Sequence, residues 1–290
     1  MNERLDTVFE YLPMRFVREI RGMLAGSRLE IREIRLRACG ISTVATDGGS
    51  FPLLSRIGAD GIEKTVQRLC RGSVYAFYDR INSGYIPLPR GIRVGIVGEA
   101  RYDGERTVGV SGIGALCFRI PCSTLAVADG LYSDWVSLGK ESLLILAPPS
   151  GGKTTALRSL ASLIGRGRGL CRVVVVDERF EFDPSDYVGA TVDILQGYRR
   201  GVGTEIAVRT MSPDVLLVDE ICSVEDAEAI RTAVGVGIPL IATAHGTGME
   251  SVLARGYLSG LVADGCFSRF CSIKREAGGF VISMPEKIAI

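Results

Sequence analysis

The chain has 290 residues, 47% of them hydrophobic, and a formal net charge of +1. That length holds one large domain or two ordinary ones, and 34 basic against 33 acidic residues argues against binding nucleic acid through bulk charge. Eight cysteines and one histidine, with no Cys-x-x-Cys pair, disfavour a zinc site, and so apolar a chain needs no disulfide framework, so reduced thiols in a cytosolic compartment are expected.

Glu3, Asp6 and Glu10 interrupt the first residues, which excludes a signal peptide. No apolar run approaches the ~18–20 residues that span a bilayer, so membrane association is expected only through a partner. Leu5, Val8, Phe9, Leu12, Phe16, Val17 and Ile20 follow helical spacing broken by Pro13, which predicts two short helices. Glu30–Leu36 alternates charged and apolar residues as a half-buried strand does. Strands are expected over 41–46 and 49–54 around a Gly-Gly turn. A helix is expected over 60–70 with Asp60 as its cap, and another over 73–81 with Val74, Phe77, Tyr78 and Ile81 on one face. Residues 84–88 and 90–98 read as a hairpin in which Gly91, Gly95 and Gly98 mark bulges or close backbone approach, and 115–120 reads as a further strand. Residues 1–125 are thus expected to form a small α+β domain without a nucleotide motif.

Residues 126–290 change texture, to strands alternating with helices. Strands are expected at 142–147, 171–177, 215–220 and 239–245, with helices at 154–164, 204–211, 223–234 and 249–263. Two strands, 267–274 and 280–284, close the chain as a hairpin across Ala277-Gly278-Gly279. The run Val173-Val174-Val175-Val176 is that of a parallel strand buried on both faces, and repeated βα units predict a doubly wound sheet with helices on both sides.

The chemistry concentrates at the first of these strands. Ala147-Pro148-Pro149-Ser150-Gly151-Gly152-Lys153-Thr154-Thr155 lies between an apolar run and an amphipathic segment and matches the phosphate-loop pattern, with Ala147 where Gly is commoner. The glycines let backbone N–H groups form a nest for anionic oxygens, and the following helix aims its positive end at the same place. Lys153 is then the expected ligand of the β- and γ-phosphates of ATP, and Thr154 the hydroxyl ligand of Mg²⁺. Val215–Glu220 is an apolar strand ending in two acids, a Walker B pattern. Asp219 would join Thr154 at Mg²⁺, and Glu220 would orient and deprotonate an attacking water. Parallel sheets place ligands beyond the carboxyl ends of their strands. By that rule His245 is a candidate sensor of the γ-phosphate or the water. At the same rim one of Glu178 and Glu181 would approach the water, with Asp177 and Glu178 both held as candidates and Glu178 as the catalytic one. An arginine is expected to meet the γ-phosphate from a neighbouring subunit if the protein forms a ring; Arg90, Arg93, Arg119, Arg199 and Arg200 are open candidates.

Val176–Arg179, Arg209–Ile221 and Thr243–Gly246, with Glu33–Arg37 and Gly91–Gly95, resemble the stage III sporulation protein AA family, which is related to the type II and type IV secretion-system ATPases. The resemblance implies an N-terminal domain joined to a RecA-like P-loop ATPase core. It places an Asp box at Asp177–Arg179 and a His box at His245. It further implies a homo-hexameric motor in the mother-cell cytoplasm, docked on membrane subunits of a channel to the forespore. Phe180 and Cys222 stand where small polar or Gly residues are expected. Two other readings fit the same motifs: a nucleotide-gated assembly scaffold with little turnover, and a nucleic-acid-dependent ATPase, against which the balanced charge and the lack of an Arg/aromatic tract weigh.

Overall fold

The computed structural model describes residues 3–27, 29–121, 127–276 and 279–288, with backbone alone at 106–107 and 275–276. The chain divides into two compact units, Met1–Cys122 and Ser123–Ile290. The stretch around residue 125, where the sequence changes texture, and the turn at 277–278 lie outside the described residues.

In the first unit Pro13 separates helices α1 (Glu3–Phe9) and α2 (Met14–Leu24). Strands β1 (Ile31–Arg37), β2 (Thr43–Thr46) and β3 (Gly49–Pro52) follow, then helices α3 (Ala59–Leu69) and α4 (Tyr78–Asn82). Strands β4 (Tyr85–Pro87), β5 (Arg93–Asp103) and β6 (Arg106–Arg119) complete an antiparallel sheet of order β3-β2-β1-β6-β5-β4. Val8, Phe16, Ile20, Ile62 and Leu69 from the helices bury against Ile34, Leu36, Val94 and Phe118 of the sheet. Three local expectations change. The α3 N-cap is Gly58, with no side-chain cap, and Asp60 lies in the first turn and pairs with Lys64. The stretch after it opens as a 3₁₀ turn over Val74–Phe77, leaving Val74 and Tyr75 exposed, so only Ile81 of the expected apolar face is buried. The strand read at 115–120 is the end of a much longer β6, paired with β5 along most of its length. The pairing slips between Val97 and Glu99. Gly98 makes that bulge possible, because a Cβ there would lie 2.8 Å from the Ser111 carbonyl oxygen.

The second unit opens with helix α5 (Asp129–Ser137), which its sparse apolar pattern did not announce. Then come β7 (Leu143–Ala147), α6 (Lys153–Arg166), β8 (Val173–Asp177), β9 (Val192–Gln196), α7 (Arg200–Ile206) and β10 (Val215–Val218). The chain continues through α8 (Val224–Gly235), β11 (Leu240–His245), α9 (Met249–Leu253), α10 (Gly256–Ala263), β12 (Arg269–Glu276), β13 (Gly279–Ile282) and β14 (Glu286–Lys287). The sheet order is β13-β12-β7-β11-β10-β8-β9; β12 through β9 run parallel, while β13 and β14 pair antiparallel with β12.

The alternating direction of side chains along a strand explains the buried runs. Leu143, Ile145, Val173, Val175 and Leu217 pack under Leu157, Leu160 and Ile164 of α6. Leu144, Leu146, Val174, Val176, Leu216 and Val218 face Ile230 of α8 and Leu258 and Leu261 of α10. Helices on both faces of a parallel sheet leave its carboxyl ends as the natural place for a ligand. From β7 the chain crosses to β8, leaving β11 and β10 to be inserted between them. The sheet reverses its winding beside β7, and the loop after β7 opens into the resulting crevice.

Candidate active site

The loop after β7 turns through Ser150 and Gly152, both with positive φ, +57° and +91°. Gly152 is the N-cap of α6, so the free N–H groups of that helix point into the loop. A Cβ on Gly152 would lie 2.8 Å from the ring of Phe280 on β13, so the conformation and the space both demand glycine. The loop encloses a cavity of about 350 Å³ lined by Pro149, Ser150, Gly151, Gly152, Lys153, Thr154, Thr155, Arg179, Glu181, Glu220, His245 and Phe280. Ala147 and Pro148 contribute carbonyls instead: Lys153 Nζ donates to both, at 3.2 Å each.

The acidic end of β10, Asp219 and Glu220, lies across the cavity. Thr154 Oγ1 donates to Asp219 Oδ2 at 2.7 Å, and Thr243 Oγ1, on the inserted strand β11, donates to Asp219 Oδ1 at 2.7 Å. Thr243 Oγ1 also accepts the Glu220 N–H at 2.7 Å, so one hydroxyl fixes both acids. Burial, reinforced by the charge of Glu181, raises the Asp219 pKa to about 6. A carboxylate in that setting favours a cation at its side. The described residues contain no cluster of three or more His, Cys, Asp or Glu able to hold a metal alone. One carboxylate and one hydroxyl beside the free N–H groups of the loop are a hard, oxygen-only donor set, which fits Mg²⁺.

Lys153, His245, Glu220 and Arg179 form a continuous chain. Lys153 Nζ lies 2.9 Å from His245 Nδ1, and His245 Nε2 lies 2.8 Å from Glu220 Oε1. An ammonium only donates, so Nδ1 accepts and Nε2 carries the proton that meets Glu220. Glu220 Oε2 receives Arg179 at 2.5 Å. Burial lowers the Lys153 pKa, against the pull of Glu220 and Asp219. Burial also opposes the Arg179 charge, but Glu220, Glu181 and Asp219 outweigh it and raise the Arg179 pKa. Glu220 itself has φ +61°, a strained conformation for a non-glycine residue in a site of this kind.

The acids after β8 sort differently from the expectation. Asp177 is buried and accepts the N–H groups of Glu181 at 2.9 Å and Phe182 at 3.0 Å, together with Gln196 Nε2 at 3.0 Å. It pins the turn. Within that turn Phe180 has φ +57°, the conformation a glycine would take with least strain. Glu178 does not line the cavity. It pairs with Arg200 at 2.5 Å, and Arg200 Nε donates to the Asp219 carbonyl at 2.6 Å. Arg200 is therefore a buried strut beneath Asp219 and not an exposed finger. Glu181 and Arg179 occupy the cavity in place of Glu178. The left-handed Phe180 separates these residues, and no spacing rule announces which acid such a turn turns inward. Thr243 could have been suspected from its place two residues before His245. Phe280 carries no motif.

A family model described as "Sporulation stage III, protein AA" matches residues 12–284. The chain belongs to that family. Stage III sporulation protein AA of Bacillus subtilis (strain 168) is 28% identical over 288 residues, 96% of this chain and 94% of that protein. The uncharacterized protein ycf45 of Porphyra purpurea is 31% identical over 129 residues, 42% of this chain and 23% of ycf45. Among solved structures, the ATPase DotB of Legionella pneumophila matches with a TM-score of 0.64 at 14% identity, covering 93% of this chain and 79% of DotB. The pilus retraction motor PilT with bound ADP matches with a TM-score of 0.63 at 16% identity, covering 93% and 83%. At such identities the likeness speaks for the fold: a RecA-like P-loop core with a smaller N-terminal α+β domain.

Proposed function

We propose that this family member is an ATPase that binds ATP with Mg²⁺ and works as a motor of a secretion-type complex. The observation that carries the reading is the convergence of Lys153, Thr154, Glu220 and His245, from a glycine-rich loop and two neighbouring strand ends, on one cavity, with Asp219 hydrogen-bonded to Thr154 at its wall. Lys153 and the N–H groups of the loop bind the phosphates. Thr154 and Asp219 would hold Mg²⁺, which would draw charge from the phosphate oxygens. Glu220 orients and accepts a proton from the attacking water, and His245 keeps Glu220 in register with Lys153. The name of PilT as a motor, and the ADP it holds, support the reading by likeness of fold.

Family membership supports work in sporulation. The mother-cell cytoplasm and a channel to the forespore belong to the proposal as its place of action. No helix among the described residues is long and apolar enough to cross a membrane, so docking on membrane subunits would supply the attachment. A homo-hexameric ring belongs to the same proposal.

The test is Glu220→Gln in the purified full chain. Turnover should fall by about 10²-fold or more while ATP binding persists. An unchanged rate would remove Glu220 as the base. A second reading, a nucleotide-gated scaffold, draws support from one observation: both Glu220 carboxylate oxygens are already engaged, by His245 and Arg179. A scaffold would turn over ATP negligibly in the wild type and keep its function in the Glu220→Gln variant.

A further inference from the structure

Arg179 is the one arginine lining the cavity among the described residues. Its backbone lies in the turn around Asp177, whose carboxylate accepts the N–H groups of Glu181 and Phe182. The Arg179 side chain is 43% exposed, whereas its partner Glu220 is 15% exposed. The guanidinium is the more exposed member of the pair, and both residues line the cavity together with Lys153. The other arginine near Walker B, Arg200, is 7% exposed and committed to Glu178 and the Asp219 carbonyl. Arg90, from the first unit, is paired with Glu3.

Resting on the nucleotide reading above, we propose that Arg179 is a phosphate sensor in cis, which leaves Glu220 for the terminal phosphate of ATP. The chemistry follows from competition for one cation. A terminal phosphate offers a guanidinium more charge and more acceptor oxygens than a single carboxylate oxygen does, and the planar fork can take two of them. ADP lacks that group, so with ADP the Arg179–Glu220 pair persists. Glu220 is then freed to meet a water only when there is a terminal phosphate to attack. His245 Nε2 continues to hold the other carboxylate oxygen and keeps Glu220 aimed during the exchange. A ligand shifts such an equilibrium only through differential contacts with its two states, and the terminal phosphate is the difference here.

The experiment is calorimetric titration of the full chain, in magnesium, with the β,γ-imido analogue of ATP and with ADP. Arg179→Ala should weaken the analogue roughly tenfold or more, as loss of a charge-assisted contact does, and change ADP by less than about twofold. The loss should persist in the Glu220→Gln background, where the Arg179–Glu220 ion pair is absent. Equal weakening of both nucleotides, weakening of neither, or a loss that vanishes beside Glu220→Gln would overturn the proposal, the last by showing that Arg179 acts only through Glu220. So would a wild-type protein that binds ADP but not the analogue. A wild type that binds neither overturns the nucleotide reading and this inference with it. If Arg179→Ala melts early, Arg179→Gln carries the same comparison.

Discussion

At the scale of single residues the site depends on backbone conformations that side chains disfavour. Ser150, Phe180 and Glu220 all have positive φ, and each lies in a segment that shapes the cavity. Such residues persist where their surroundings over-determine them: Glu220 by Thr243 through its N–H and by His245 and Arg179 through its carboxylate. Gly152 is the position where no such compensation exists. Gly152→Ala would meet a left-handed φ, worth ~1–2 kcal/mol, and the ring of Phe280 besides. We expect this variant to lose at least that stability in urea unfolding and to bind ATP more weakly. Full retention of both would mean that the loop can re-form without a left-handed N-cap. Lys153, Thr154, Asp219, Glu220 and His245 were legible in the sequence because strand ends and loop spacing bring them together. Arg179 and Phe280 were not, and Glu181 was legible only as an alternative to Glu178: the choice between those acids depends on a left-handed turn, as does Arg179, and Phe280 reaches the loop through sheet pairing between segments far apart in the chain.

Among the elements, α8 shows how local chemistry supports the site. Ser223 caps it by accepting the Asp226 N–H at 3.1 Å, while the Asp226 carboxylate accepts the Cys222 N–H at 3.1 Å. This reciprocal cap fixes the short segment between Glu220 and the helix. Ser223→Ala should cost ~1 kcal/mol in denaturant unfolding, the usual loss of a capping hydroxyl; an unchanged midpoint would show that Asp226 alone suffices. The central strands could be read directly from their unbroken apolar runs. Other elements were obscured for physical reasons. Strand β9 lies at the sheet edge and is only partly buried, so Val192–Gln196 carries no apolar run. The far half of β5 is exposed on both faces, so no alternation of side chains marks it. In α5 only Leu131 and Trp135 are buried, too few to set a helical period.

For the whole molecule, the balance of 34 basic and 33 acidic residues bears on assembly. A net charge of +1 creates no single-sign field, so copies of the chain approach one another without general repulsion, and polyanions gain no general attraction. Assembly must then be decided by specific contacts, and in a ring motor those contacts are sensitive to the nucleotide. The proposed ring therefore makes a prediction about mass. In light scattering with magnesium and the β,γ-imido analogue of ATP, the species should grow from near the 31.1 kDa of one chain towards about six times that mass. The Glu220→Gln variant should hold the larger species with ATP itself, because its terminal phosphate is not cleaved. A single-chain mass under every condition would remove the autonomous ring. The cavity chemistry would be untouched by that result, because Lys153, Thr154, Asp219, Glu220, His245 and Arg179 all come from one chain. The growth with analogue and the turnover lost in Glu220→Gln thus test separate parts of the proposal, the first the assembly and the second the site.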